Sequence, residues 1–289
     1  MSVLLATSVA QALVDAQAHG LERSDAHGLL AHHLQRSRAW LIAHDEALLP
    51  AAIAAAFAAD CQRRAQGEPL AYLVGEREFH GLGLRVTPDV LVPRPDTETL
   101  VDWALECIAG SSAPGLDILD LGTGSGAIIL ALAHALRLAP GPRQPILRFT
   151  ATDLSSAALA VAQGNGLRHG LQIEWAQGAW WTALAGERRF DLVLSNPPYI
   201  RQGDPHLRAL RHEPALALTS GADGLDALRE IIQRAPQRLH PGGRLMLEHG
   251  WDQAPAVRAL LTTAGFTDIE TRRDIEARPR CSAGLWRNP

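Results

Sequence analysis

The stretch Leu116-Asp117-Ile118-Leu119-Asp120-Leu121-Gly122-Thr123-Gly124-Ser125-Gly126 decides the fold. Its first half is a short apolar run of strand type, and its second half places glycine at every other position. The run AIILALAHALRL follows at once, at residues 127–138, with the length and composition of a buried helix. A strand, a glycine turn and a helix in that order open an α/β sheet. Working outward, the same alternation continues. Strands are expected at 116–122, 146–152, 171–176, 190–195, 243–249, 267–273 and 281–287, and helices at 125–138, 155–165, 224–238 and 253–264. This predicts an open, mostly parallel sheet with helices on both faces.

Two motifs fall at strand ends, where such sheets bind ligands. Gly122, Thr123, Gly124, Ser125 and Gly126 form a G-x-G-x-G turn that brings backbone N–H groups close to a ligand. The spacing is not the G-x-G-x-x-G of dinucleotide sites. Asp153 ends the next strand, where a carboxylate accepts both hydroxyls of a ribose. The pair implies an adenosyl-type ligand and leaves S-adenosylmethionine, NAD and FAD open. Asn196-Pro197-Pro198-Tyr199 ends the strand FDLVLS. Its prolines stiffen the turn and remove two donors, leaving the Asn196 oxygen and a proline carbonyl as acceptors beside the Tyr199 ring. Such a set holds a planar NH2 group by both hydrogens and stacks its π-system. Fixing an amide nitrogen with its lone pair toward an electrophilic methyl favours attack by positioning.

The flanking regions bound the rest. Residues 1–75 read as four or five short helices, with Gly20 as a stop, Ser24 and Ser37 as caps and Pro50 at a helix start. The alanine-rich run 51–59 predicts a close helix–helix contact. Residues 76–94 read as a β-hairpin linker, and 95–289 as the α/β domain. All 27 basic residues are arginine, which excludes Schiff-base chemistry and a lysine phosphate loop, and any basic contact to a partner must use arginine. Net charge is -4, so no overall pull toward nucleic acid or anionic membrane is expected. Cys61, Cys107 and Cys281 are too scattered for a disulfide framework or a zinc site and predict buried free thiols in a reducing cytoplasm. The N-terminal stretch lacks a basic leader region, and no run approaches the ~20 apolar residues of a membrane span. His32 and His33 lack acidic neighbours at metal spacing, and the pairs Arg63-Arg64, Arg188-Arg189 and Arg272-Arg273 read as solvated faces. Glu213 and Glu248 read as a loop charge and a strand-end carboxylate, and Thr97-Glu98 as either a helix start or a site pair.

LDLGTGSG, Asp153 and NPPY together resemble the class I S-adenosylmethionine-dependent N-methyltransferases, and with GEPLAYLVGEREFHGLGLRVTPDVLVPRPDTETLVDWAL and LEHGW the chain resembles the release factor glutamine N5-methyltransferases end to end. The resemblance implies a Rossmann-like seven-stranded sheet, a small N-terminal helical domain that docks the protein substrate, and a joining hairpin. It implies methyl transfer from S-adenosyl-L-methionine to the glutamine of the Gly-Gly-Gln motif in class 1 release factors, with S-adenosyl-L-homocysteine as product and no metal. Gly122 to Gly126 would meet the methionine end of the cofactor, Asp153 its ribose and Trp180 its adenine. Asn196 to Tyr199 would bind the glutamine, with Asn196 also near the cofactor. Ala179 stands where the family often has an acidic residue, which leaves Trp180 and Trp181 both open as the adenine contact. The alternatives are an adenine-N6 nucleic-acid methyltransferase, disfavoured by the acidic composition, and a ribosomal-protein glutamine methyltransferase.

Overall fold

A computed structural model describes residues 7–138 and 146–287. The first six residues of the stretch weighed as a leader, and the outer ends of the 1–75 and 95–289 spans, lie outside them. The chain divides into two compact units, Met1–Glu76 and Arg77–Pro289.

The first unit is helical: α1 (Val9–Ala18), α2 (Arg23–Leu34), α3 (Arg38–Ala43), α4 (Ala51–Ala65) and α5 (Leu70–Val74). Val9, Leu13, Leu29, Leu30, Leu41 and Phe57 form its core. Ser37 caps α3 as expected, accepting from Trp40 N at 3.2 Å. Ser24 does not cap α2, which already begins at Arg23 after Glu22. The alanine run is also not the close contact expected, since α4 buries only Phe57 and Cys61 and exposes most of its alanines. High helix propensity is the simpler reason for them. The close approach instead uses Gly28 of α2, where a Cβ would stand 3.4 Å from Leu70 Cδ2.

In the second unit, β1 (Glu76–Phe79) and β2 (Leu82–Arg85) pair across a two-residue turn. His80 and Gly81 both have positive φ, 49° and 80°, the backbone that a tight hairpin of matching twist demands. A 3₁₀ turn at Pro95–Thr97 leads into α6 (Glu98–Ala109). Then follow β3 (Gly115–Leu121), α7 (Ala127–Leu138), β4 (Ile146–Asp153), α8 (Ser156–His169), β5 (Glu174–Gln177), β6 (Phe190–Ser195), α9 (Asp226–Arg234), β7 (Leu239–Glu248), α10 (Ala254–Thr263), β8 (Thr267–Arg273) and β9 (Pro279–Leu285).

The seven strands from β3 onward form one sheet in the order β5-β4-β3-β6-β7-β9-β8. The first five strands run parallel, while β9 is antiparallel to both β7 and β8. Consecutive residues of the central strands serve opposite faces. Ile118, Leu192, Leu194 and Met246 enter one core with α6, α7 and the hairpin residues Phe79, Leu82 and Leu84. Leu119, Leu121, Val193, Leu245 and Leu247 enter the other, with α9 and α10. Double burial explains why these strands read as continuous apolar runs. The chain order reverses between β3 and β6, so a crevice opens above their C-terminal ends.

Candidate active site

A cavity of about 420 Å³ occupies that crevice. Gly122, Thr123, Gly124 and Ser125 after β3, Asp153 after β4, Ala179 and Trp180 after β5, and Asn196 and Pro198 after β6 all line it. Residues well separated in sequence therefore meet because four parallel strands end at one level.

The glycine turn differs from its expected role as a row of free donors. Gly122 N and Thr123 N both donate to the Thr152 carbonyl at 2.9 Å, Gly126 N donates to Thr123 O at 2.9 Å, and Gly124 N donates to Asp153 Oδ2 at 2.9 Å. Glycine is required here for shape. Gly122, Gly124 and Gly126 have φ of 73°, 57° and 85°. A Cβ at Gly122 would stand 3.0 Å from Trp180 Cζ3 and one at Gly126 2.7 Å from Leu130 Cδ1, whereas one at Gly124 would meet nothing within 4 Å. With those amides already engaged, the turn is poorly equipped for a phosphate.

Beneath it, Asp120 is fully buried. Burial pushes its carboxyl up to about 7, against the Thr123 hydroxyl that donates to Oδ2 at 2.6 Å. Its Oδ1 has no hydrogen-bond partner. Asp153 accepts from Gly124 N and Ser155 N, both at 2.9 Å, and burial raises its proton affinity above the ordinary carboxylate value. Each oxygen keeps a lone pair for a ligand. The two adjacent tryptophans separate cleanly. Trp180, at φ 45°, lies in the cavity wall over Gly122. Trp181 is 2% exposed in the core and donates from Nε1 to Ile231 O at 3.1 Å.

On the β6 side, Asn196 Nδ2 donates to Thr97 Oγ1 at 3.1 Å, leaving Oδ1 available as an acceptor. Thr97 itself is buried in the wall. The pair Thr97-Glu98 thus divides: Thr97 joins the site, and Glu98 Oε1 accepts from His80 N at 3.1 Å to hold the hairpin. The wall takes Asn196 and Pro198 but neither Pro197 nor Tyr199. Tyr199 packs against the core of the α9 face, and its hydroxyl donates to Glu248 Oε1 at 3.3 Å. Glu248 is fully buried, burial pushes its carboxyl up to about 7, and its Oε2 has no hydrogen-bond partner. Glu213 is likewise more than a loop charge. It is buried, accepts from Val92 N at 3.1 Å and pairs with Arg94 of the cavity wall. Asp96 is held by Arg280 at 3.1 Å. These partners lie far apart in sequence, and the one local signal was the density of polar residues in PRPDTE.

Elsewhere, Asp117, Asp191 and His240 are the one group among the described residues with metal-like spacing, near the N-terminal ends of the adjacent strands β3, β6 and β7. Asp117 is instead saturated by Arg148, with bonds of 2.6 and 2.6 Å that hold its carboxyl below the usual range. His33 bonds Asp60 at 3.0 Å. Two of the arginines read as solvated are packed: Arg272 lies over Trp103 at 4.5 Å and Arg188 over Phe190 at 5.0 Å. Cys61 and Cys281 are buried free thiols as expected, but Cys107 is only half-buried.

Residues 6–75 match the PrmC N-terminal domain family, and residues 118–221 a methyltransferase domain family. A release factor glutamine methyltransferase of Bordetella pertussis is 50% identical over 267 residues, covering 92% of this chain and 95% of that protein. One from Xylella fastidiosa is 48% identical over 276 residues, covering 94% and 96%. Among solved structures, a Pyrococcus furiosus methyltransferase superposes with TM-score 0.52 at 17% identity, over 72% of this chain and 90% of its own. A Thermus thermophilus 16S rRNA N2 G1207 methyltransferase, solved with AdoMet and guanosine, does so with 0.53 at 21%, over 73% and 50%. Both share the fold. With half the residues identical across nearly the whole length of such relatives, the chain belongs to the release factor glutamine methyltransferase family.

Proposed function

We propose that this chain transfers the methyl group of S-adenosyl-L-methionine to the side-chain N5 of the glutamine in the Gly-Gly-Gln motif of class 1 release factors, leaving S-adenosyl-L-homocysteine. The observation that carries this reading is Asn196, its NH2 tied to Thr97, standing in the same wall as the glycine turn and Asp153. The residues present fit the cofactor. Asp153 in the wall accepts two backbone N–H groups and keeps lone pairs for a ribose, and the turn offers few free amides for a pyrophosphate. When bound, S-adenosylmethionine supplies a methyl group made electrophilic by the sulfonium charge.

The chain supplies the rest by holding and orienting. Asp153 accepts the ribose hydroxyls, Trp180 flanks the adenine, and Gly122 to Gly126 leave room for the methionine end. Asn196 Oδ1 accepts one N–H of the substrate amide and the Pro197 carbonyl the other, with Pro198 and Tyr199 stiffening the turn. An amide held by both hydrogens keeps its lone pair on the methyl, and positioning lowers the barrier. The methylated nitrogen is acidic enough to lose its proton to solvent, so no side chain need act as base and no step calls on a metal. The helical unit docks the protein substrate. The free thiols suit a reducing cytoplasm, and neither a membrane nor a stable nucleic-acid complex enters the scheme.

Incubation with labelled S-adenosylmethionine and either a release factor or DNA tests this. Label is expected on the release factor, and label on DNA alone would refute the reading. Asn196→Ala should lower transfer by about 100-fold or more while cofactor affinity stays within roughly threefold. Near-normal turnover in that variant would remove the amide-holding role.

A further inference from the structure

One wall of the cavity is a helix. Asp226, Ala227 and Glu230 of α9 line it, at the i, i+1 and i+4 spacing that puts them on one face. The N-terminal end of that face belongs to the β6 side of the site. There Ala227 N donates to Ser220 Oγ at 2.8 Å, and Ser220 N donates to Ile200 O at 2.9 Å, next to Tyr199. One turn further on, the helix meets the loop after β5. It packs against the 3₁₀ turn Trp180–Ala183, and Trp181 Nε1 donates to Ile231 O at 3.1 Å. Trp180 and Glu230 immediately precede the two bonded residues, and both line the cavity.

The two carboxylates on this face differ. Asp226 is exposed and pairs with Arg229 at 2.9 Å. Glu230 is half-buried and, among the described residues, makes no hydrogen bond or ion pair. A carboxylate that gives up part of its hydration without gaining a partner is costly, and a ligand donor would relieve it. Beside Trp180 the neighbouring groups are spent. Ala179 has no polar side chain, and its carbonyl already accepts from Thr182 N at 2.9 Å and from Thr182 Oγ1 at 2.7 Å. An adenine stacked on the Trp180 indole would take its 6-amino group out of water, and both N–H bonds of that group need acceptors.

We propose that Glu230 is a cofactor-binding residue: its carboxylate accepts an N–H of the adenine 6-amino group beside Trp180. The inference rests on the S-adenosylmethionine part of the functional reading and deepens it, by making recognition of the base the work of α9. An ionised acceptor makes the stronger hydrogen bond, so base selection follows from the same contact.

The test is a cycle of ligand and residue changes, read by calorimetry on the full chain. S-adenosyl-L-homocysteine and its analogue with hydrogen in place of the 6-amino group are titrated into wild type, Glu230→Gln and Glu230→Ala. Wild type should bind the analogue roughly 10- to 100-fold more weakly, the worth of a hydrogen bond to a charged group. Glu230→Ala should lose a similar factor for S-adenosylhomocysteine and tell the two ligands apart by less than about threefold. Glu230→Gln, with a neutral acceptor oxygen, should fall between. Equal losses for both ligands in Glu230→Ala, which packing alone would give, overturn the proposal. So does a wild type that binds the two ligands alike, an outcome that needs no variant should Glu230→Ala fail to fold. A raised KM for the release factor with both affinities unchanged would assign Glu230 to the protein substrate and overturn it too. Absence of methyl transfer while the ligand preference holds overturns only the functional reading and leaves the adenine contact standing.

Discussion

Two carboxyls, Asp120 at the end of β3 and Glu248 at the end of β7, are buried outside the cavity lining. Asp120 and Glu248 are each pushed up to about 7 by burial. A folded-state value raised above the unfolded one means stability that is present at acid pH and lost as pH rises toward 7. For Glu248, whose ordinary value is 4.5, the loss is on the order of 3 kcal/mol, at roughly 1.4 kcal/mol per pH unit between the two values. Glu248→Gln should therefore gain on the wild type by up to about 3 kcal/mol between roughly pH 4 and pH 8 in chemical denaturation. A stability difference that ignores pH would contradict the burial argument. Asp120, raised in the same way, should also cost stability as pH rises toward 7, and Asp120→Asn should remove that dependence in chemical denaturation. Gly124→Ala should cost only about 1–2 kcal/mol of stability, from its left-handed backbone alone, whereas Gly126→Ala should cost more in chemical denaturation, because its Cβ also strikes Leu130. The glycine pattern was legible in the sequence; the use of those glycines was not. Spacing shows where a side chain is forbidden, but which group would collide depends on residues such as Trp180 and Leu130. The same limit leaves Trp180 and Trp181 open until one is seen over Gly122 and the other in the core.

Among the elements, α8 has the widest reach. Asn165 accepts from Arg85 N at 2.8 Å and donates to Arg85 O at 3.0 Å and to Ser125 O at 2.9 Å. One fully buried side chain thereby ties the end of the hairpin to the glycine turn. Asn165→Leu strands three backbone groups, one of them buried and two part-buried, so stability should drop by roughly 2–4 kcal/mol in thermal or chemical unfolding. A change below about 0.5 kcal/mol would deny it that role. Nothing in the sequence marks Asn165, because its partners stand 80 and 40 residues away. Element positions are far more legible, since strand and helix periods are local. The strand expected over 267–273 has those bounds in the structure. β7 begins at Leu239, earlier than 243, because a register shift against β6 lets Leu239 pair with Phe190. The helix expected over 224–238 breaks into α9 and a 3₁₀ turn at Ala235–Gln237, where Pro236 cannot continue it.

For the molecule as a whole, the sheet order places the site, and the arginine-only composition has a structural use beyond what it excludes. Arg272 and Arg188 cover aromatic rings and pair with Glu106 and Glu174, at 2.7 and 2.6 Å. A planar guanidinium does both at once, and lysine does so poorly. The order β5-β4-β3-β6-β7-β9-β8 brings Gly122, Asp153, Trp180 and Asn196 to one cavity, and those four residues are recognisable from their positions at strand ends without any tertiary contact. Thr97, Glu213 and Glu248 become site residues only through tertiary contacts. On this reading the cavity methylates a glutamine amide of a protein. The most direct test is to react the protein with S-adenosylmethionine and a class 1 release factor, then locate the methyl group by fragmentation mass spectrometry. A single methyl is expected on the side-chain nitrogen of the Gly-Gly-Gln glutamine, lost in Asn196→Ala. A methyl on any other residue, or an unmodified glutamine beside consumed cofactor, would contradict it.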